Sequence, residues 1–188
     1  MLLRESEQRF RHMALHDSLT GLATRLLLQD RLDAAVLRAN RHHGGITLLM
    51  LDLDNFKDIN DTFGHRAGDE VLRVTAGRLL EVVRKSDTVA RMGGDEFIVL
   101  LPDLGDPLSA KGFAAIIMNA LSGPIHFEGH EMRISASIGV CSAQSGELDA
   151  DALLNCSDTA LYRAKASGRN CLHIFTNQID EARARNAS

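Results

Sequence analysis

The chain has 188 residues, 45% of them apolar and 24% charged, which suits one generous domain with a real core and excludes both a disordered chain and two full-sized domains. Its 21 Lys and Arg against 25 Asp and Glu leave a net charge of −4, too acidic for binding nucleic acid by counterion release, so no nucleic-acid partner is expected. No apolar run reaches the ~20 residues of a membrane span, MLLRESEQ turns charged too soon for a secretory signal, and Cys141, Cys156 and Cys171 contain no CxxC pair, so the expected setting is cytoplasmic with reduced thiols, here or as the cytoplasmic part of a larger protein, membrane-bound or not.

The elements follow in chain order. Residues 1–16 place Leu3, Phe10 and Ala14 at helical spacing among charges, the pattern of a coupling helix. RLLLQDRLDAAVLRANRHH predicts a second helix stopping at Gly44 and Gly45, and ITLLMLDLD, too short for most helices, predicts a buried central strand. From Asp69, DEVLRVTAGRLLEVVRK carries Leu72, Thr75, Leu79 and Val82 on one helical face. TVARMGGDEFIVLLP predicts a hairpin turning at GGDE. A helix over roughly residues 107–121, two strands around Glu128 and Gly129 in IHFEGHEMRISASIGV, a helix ended by Gly168, and a short strand CLHIF complete the order. The expected fold is α+β, a mixed central sheet with surrounding helices built on a βαββαβ unit.

Asp52 and Asp54 end the first strand, while Asp95 and Glu96 sit at the hairpin turn. If those strands are neighbours, four acids converge at one sheet edge, and their repulsion calls for a cation. Oxygen ligands without histidine suit Mg²⁺ or Mn²⁺ better than zinc, and Mg²⁺ commonly shares its shell with substrate phosphates. The bland alternative has Asp54 or Asn55 capping a helix over NFKDIN. His42, His43, His65, His126 and His130 form no ligand pattern. No Ser/His/Asp or Cys/His arrangement offers a nucleophile.

The joint pattern LDLDNFKDINDTFGHRAGDEVL, RKSDTVARMGGDEFIVLLP and ALYRAKASGRN resembles the GGDEF family, the diguanylate cyclases that condense two GTP into cyclic di-GMP. The signature stands intact at Gly93 to Phe97, and DSLTGLATR resembles the family's opening DxLTGLxNR. The resemblance implies a palm-like sheet similar to nucleotidyl cyclases and a division into a coupling helix (1–16), the cyclase domain (17–176) and a tail or linker (177–188).

Residue by residue, the resemblance implies Asp52, the main-chain carbonyl of Leu53, and Asp95 as metal ligands. It makes Asp95 the catalytic acid position, supported by Glu96. Strand geometry alone leaves Asp52 and Asp54 equivalent, since they share a face; the family pattern points to Asp52. It further implies phosphate contacts from Lys57, Lys165 and Arg169, a base site of Asn60 and Asp69, and further substrate contacts at Phe56, Gly93 and Gly94. A carboxylate at Asp69 accepts both donors of guanine's Watson–Crick edge, which adenine lacks. Arg84 and Asp87 match the family's RxxD inhibitory site, where product binds.

Each of these has a plainer reading. Lys165 and Arg169 could be a solvated cationic helix end, Asp69 a first-turn acid favoured by the helix dipole, and Arg84 with Asp87 a helix-end ion pair worth ~0.2 to 0.5 kcal/mol. Thr24 and Met92 depart from the family's usual Asn and aromatic residues. The partners implied are GTP, cyclic di-GMP, a second copy of the domain and a separate sensor or receiver domain; FTNQIDEARARNAS resembles the lead into an EAL domain. The rival functions are a non-catalytic GTP- or cyclic di-GMP-binding regulatory domain, and an adenylate cyclase, which Asn60 and Asp69 disfavour.

Overall fold

A computed structural model describes residues 13–144 and 149–175. The expected coupling helix, apart from residues 13–16, and the 177–188 tail lie outside the described residues. After residues 13–15, which are helical, the described residues form helices α1 (Arg25–His42), α2 (Phe56–Phe63), α3 (His65–Val82), α4 (Pro107–Leu121) and α5 (Ala150–Ala166) around strands β1 (Gly45–Asp54), β2 (Thr88–Gly93), β3 (Glu96–Pro102), β4 (Ile125–Phe127), β5 (His130–Met132), β6 (Ser135–Gln144) and β7 (Leu172–Ile174). The main sheet runs β2-β3-β1-β6-β7, antiparallel except for the parallel β6–β7 pair. It is the mixed α+β sheet expected.

β1 is apolar along nearly its whole length because both of its faces are covered. Leu49, Leu51 and Leu53 join Val71, Leu72 and Leu79 of α3 and Ala114 and Ile117 of α4 in one core cluster. Ile46 and Leu48 meet Leu28, Leu32 and Ala35 of α1 and Leu153 of α5 in the other. Truncating any of these leucines costs ~2 to 5 kcal/mol. Asp106 caps α4 by accepting from the Ser109 amide at 2.8 Å, with Pro107 at the first helical position. At the other end of α4, Arg78 of α3 donates to the carbonyls of Leu121, Gly123 and Pro124 at 3.1, 2.8 and 2.7 Å, which fixes the turn into β4.

Three local expectations are corrected. The helix expected from Asp69 begins at His65, because Gly64 with φ +85° ends α2 and the chain re-enters helix at once. It also ends sooner, at Val82. The segment expected to give two strands gives three: β4 and β5 pair with each other around Glu128 and Gly129 as a separate ribbon, and β6 begins afresh at Ser135 beside β1. The helix α1 stops just before Gly44 as expected, but the left-handed residue at its end is His43, φ +54°, while the Gly44 amide donates to the Ala39 carbonyl at 3.1 Å.

Candidate active site

The hairpin and β1 meet as the acids require. In the antiparallel β1–β3 register Asp52 lies opposite Glu96, and the β2–β3 turn carries Gly94 and Asp95 just beyond. The turn is sharp: Gly93 has φ +140° and Gly94 φ +53°, where a side chain would be strained. The Leu53 amide donates to the Asp95 carbonyl at 3.3 Å, which pins the turn to the end of β1. Asp52 and Asp95 are both half-buried and Glu96 is exposed. Burial, then the Asp52 charge, pushes the Asp95 carboxyl above the ordinary carboxylate value, only partly offset by Lys165 and Arg91. Glu96 borders a cavity of about 270 Å³ that Arg25, Met50, Met92 and Asp158 also line.

Lys165, near the end of α5, sits with Nζ 2.6 Å from Asp52 Oδ2, with 35% and 14% of the two side chains exposed. Lys165 is therefore a helix-end cation paired with Asp52, not one surrounded by solvent alone. Arg169 follows in the left-handed region, φ +63°, exposed beside the same helix end. The two strand-end aspartates separate sharply in environment. Asp54 is buried and accepts from Ser135 Oγ at 2.7 Å, Ser137 Oγ at 2.6 Å and the Asn170 amide at 2.9 Å, tying the chain after α5 to β1 and β6. Neither Asp54 nor Asn55 caps α2 by its side chain; Asn55 stands at the cap in the left-handed region, φ +56°.

Residues of the expected base and phosphate sites lie on α2 and α3. Lys57 is exposed in the first turn of α2, Phe56 packs against the core, and the Asn60 carboxamide lies against α3 at Gly68. Since α3 starts at His65, Asp69 lies in its second turn and is not the first-turn acid of the plain reading. Arg84 and Asp87 stand at the opposite end of β2 from the GGDEF turn. They form no ion pair among the described residues: the Asp87 carboxylate accepts from the Arg84 amide at 2.7 Å, leaving the guanidinium on an exposed residue. A groove of about 610 Å³ lies beside them, lined by Arg31, Arg38, Arg41 and Lys85.

One tie escaped the sequence reading. Arg91 donates to the Gly94 carbonyl through Nε at 3.0 Å and Nη2 at 2.8 Å, and its Nη1 reaches both oxygens of Asp17 at 3.1 and 3.3 Å. Burial raises the Asp17 carboxyl, but hydrogen bonds from Thr20 and Arg91 outweigh it and hold the group below its ordinary value. The segment bearing Asp17 also docks on β2, with the Ala23 amide on Val89 and the Arg91 amide on Ala23 at 3.2 and 2.9 Å. The opening DxLT motif was legible; its partner 74 residues away was not.

Among the described residues, no three His, Cys, Asp or Glu side chains gather as a metal cage. Two carboxylates that repel and one main-chain carbonyl nearby are instead a donor set fitted to Mg²⁺, which keeps waters and substrate oxygens in its shell.

A palm-like sheet with acids at its hairpin edge defines a class of proteins, and comparison with known families agrees. Residues 14–171 match the family model described as diguanylate cyclase, GGDEF domain. The chain is 43% identical over 168 residues to the diguanylate cyclase DgcP of Pseudomonas aeruginosa, covering 87% of this chain and 24% of that protein. It is 42% identical over 173 residues to the response regulator PleD of Caulobacter vibrioides, covering 90% and 38%. The structure of the coiled coil and GGDEF domain of DgcB from Caulobacter crescentus, in complex with cyclic di-GMP, superposes with a TM-score of 0.84 at 31% identity, covering 92% of this chain and 91% of that one. The chain belongs to the GGDEF domain family. It spans less than half the length of the two curated relatives named above, at 24% and 38%. Among the described residues, no helix is long and apolar enough to cross a membrane.

Proposed function

We propose that the chain is a diguanylate cyclase, condensing two GTP into cyclic di-GMP with release of two pyrophosphates. One observation carries the reading: Asp52 stands opposite Glu96 across the β1–β3 pair, and its charge is felt at Asp95. In this reading Asp52, Asp95 and the Leu53 carbonyl hold Mg²⁺, or Mn²⁺. The bound ion supplies Lewis-acid stabilisation of the attacking and leaving oxygens.

The chain's own residues do the rest. The open backbone at Gly93 and Gly94, where an added Cβ would meet nothing within 4 Å, admits the nucleotide. Lys57 meets its phosphates together with exposed amides at the start of α2. Lys165 leaves Asp52 for the terminal phosphates, joined by Arg169. Phe56, Asn60 and Asp69 take the guanine. The 3′-hydroxyl of one GTP attacks the α-phosphorus of the other, the bond to pyrophosphate breaks, and Asp95 accepts the hydroxyl proton with Glu96 in support. One copy offers one such site, so two copies face each other as a homodimer. The catalytic unit in this reading is residues 17–176, in the cytoplasm, with residues 1–16 coupling it to a sensor or receiver domain and 177–188 leading onward, to an EAL domain in composite proteins.

Product is read as inhibitor at Arg84 and Asp87. Asp87 already holds the turn, so the freed guanidinium can fork onto guanine or a phosphate, with cations of the adjoining groove nearby. Titration of Arg84→Ala with cyclic di-GMP is expected to show binding weakened by about tenfold or more; unchanged affinity removes the assignment. The activity itself is tested by incubation with GTP and Mg²⁺ and chromatography for cyclic di-GMP. Nucleotide binding without product, even in concentrated protein, would favour the non-catalytic rival.

A further inference from the structure

The geometry points to Gly68 as the positioning residue for base recognition, an inference that rests on the guanine assignment of Asn60. Gly68 is buried in α3 immediately before Asp69. Its backbone does not need glycine, since it is absent from the residues with positive φ, and alanine favours a helix more. What needs glycine is the space beside it. A Cβ there would collide with Oδ1 of Asn60 and lie 2.9 Å from its Cγ and 3.2 Å from Cζ of Phe56. Gly77 in the same helix is the contrast: a Cβ there would meet nothing within 4 Å.

The first atom struck is the free end of a side chain, not backbone. A methyl at Gly68 therefore displaces the Asn60 carboxamide and leaves the helix where it is. The same collision follows whichever way round the amide is turned. Asn60 reaches from α2 onto Gly68, and Asp69 is the next residue of α3, so the missing side chain at Gly68 sets how closely the Asn60 carboxamide lies against the helix that carries Asp69. A purine whose edge pairs with a carboxylate and a carboxamide together is recognised only while that spacing holds. Gly68 touches no substrate in this account; it acts through Asn60.

The test uses 3′-deoxy-GTP, which lacks the attacking hydroxyl and so binds without reacting. Its affinity is measured by calorimetric titration with Mg²⁺ for the whole chain and for Gly68→Ala, Gly77→Ala, Asn60→Ala and the Gly68→Ala/Asn60→Ala double variant. Gly68→Ala and Asn60→Ala are each expected to weaken binding about tenfold, the loss of one or two hydrogen bonds, and to narrow the preference over 3′-deoxy-ATP. The double variant is expected to bind no worse than Asn60→Ala alone, and Gly77→Ala to bind as the unaltered chain does. The melting temperature of Gly68→Ala should not fall. The proposal is overturned if Asn60→Ala weakens binding while Gly68→Ala does not, if the two losses add, or if Gly68→Ala fails to fold, because the helix and not Asn60 has then yielded. An Asn60→Ala variant that binds normally overturns the guanine assignment itself, a distinct outcome that removes the ground for Gly68 too.

Discussion

Asp52 and Asp54 are two positions apart on one strand face, yet their neighbours give them opposite parts. Asp54 has three donors on it and is structural; Asp52 has one flexible lysine and a second carboxylate nearby. The raised affinity of Asp95 for protons fixes the sign of its effect on stability. Below 3.8 the group is protonated folded or unfolded and contributes nothing; as pH rises through the window above 3.8, the unfolded chain ionises first, so the carboxylate costs the metal-free fold stability at neutral pH. Asp95→Asn is therefore expected to abolish cyclic di-GMP formation while raising the metal-free melting temperature at pH 7 slightly, by less than about 2 °C. A scanning calorimetry trace showing a clear fall would contradict the repulsion argued here. In the sequence, the two aspartates were interchangeable; the serines that claim Asp54 lie 81 and 83 residues on, beyond the reach of any local pattern.

At the scale of elements, α5 lies so close on β6 that one strand position has no room for a side chain. A Cβ on Gly139 would collide with the Ser157 carbonyl and the Leu161 amide and stand 2.8 Å from the Leu161 Cα, all backbone atoms of α5. That packing holds the helix whose end carries Lys165 against β1. Gly139→Ala should destabilise the fold by ~2 to 3 kcal/mol, a fall of roughly 5 to 10 °C in melting temperature, and lower turnover with it. A melting curve matching the unaltered chain would mean that α5 is less closely held. The elements themselves were largely legible, because β1 is apolar on both faces and the hairpin is punctuated by its glycine pair. Where the reading slipped, at the start of α3 and between β5 and β6, the chain reverses on one glycine or breaks over Arg133 and Ile134 without any Gly or Pro to mark it.

At the scale of the whole molecule, sequence separation is what hid the site's support. Asp17 and Arg91 join the segment entering the domain to the carbonyl of Gly94, so whatever shifts the entry segment bears on the acidic turn. A single domain offers one set of acids, and the proposed reaction joins two nucleotides. The rate of product formation per chain is accordingly expected to rise with protein concentration until dimers saturate; a rate per chain constant down to nanomolar protein would mean that pairing is not limiting. The claim on which the rest stands is that β1 and the hairpin together hold one divalent ion against a nucleoside triphosphate. Anomalous diffraction from crystals grown with Mn²⁺ and 3′-deoxy-GTP tests it most directly. The account predicts a manganese peak bounded by Asp52, Asp95 and the Leu53 carbonyl, whereas bound nucleotide with no peak between those groups would contradict it.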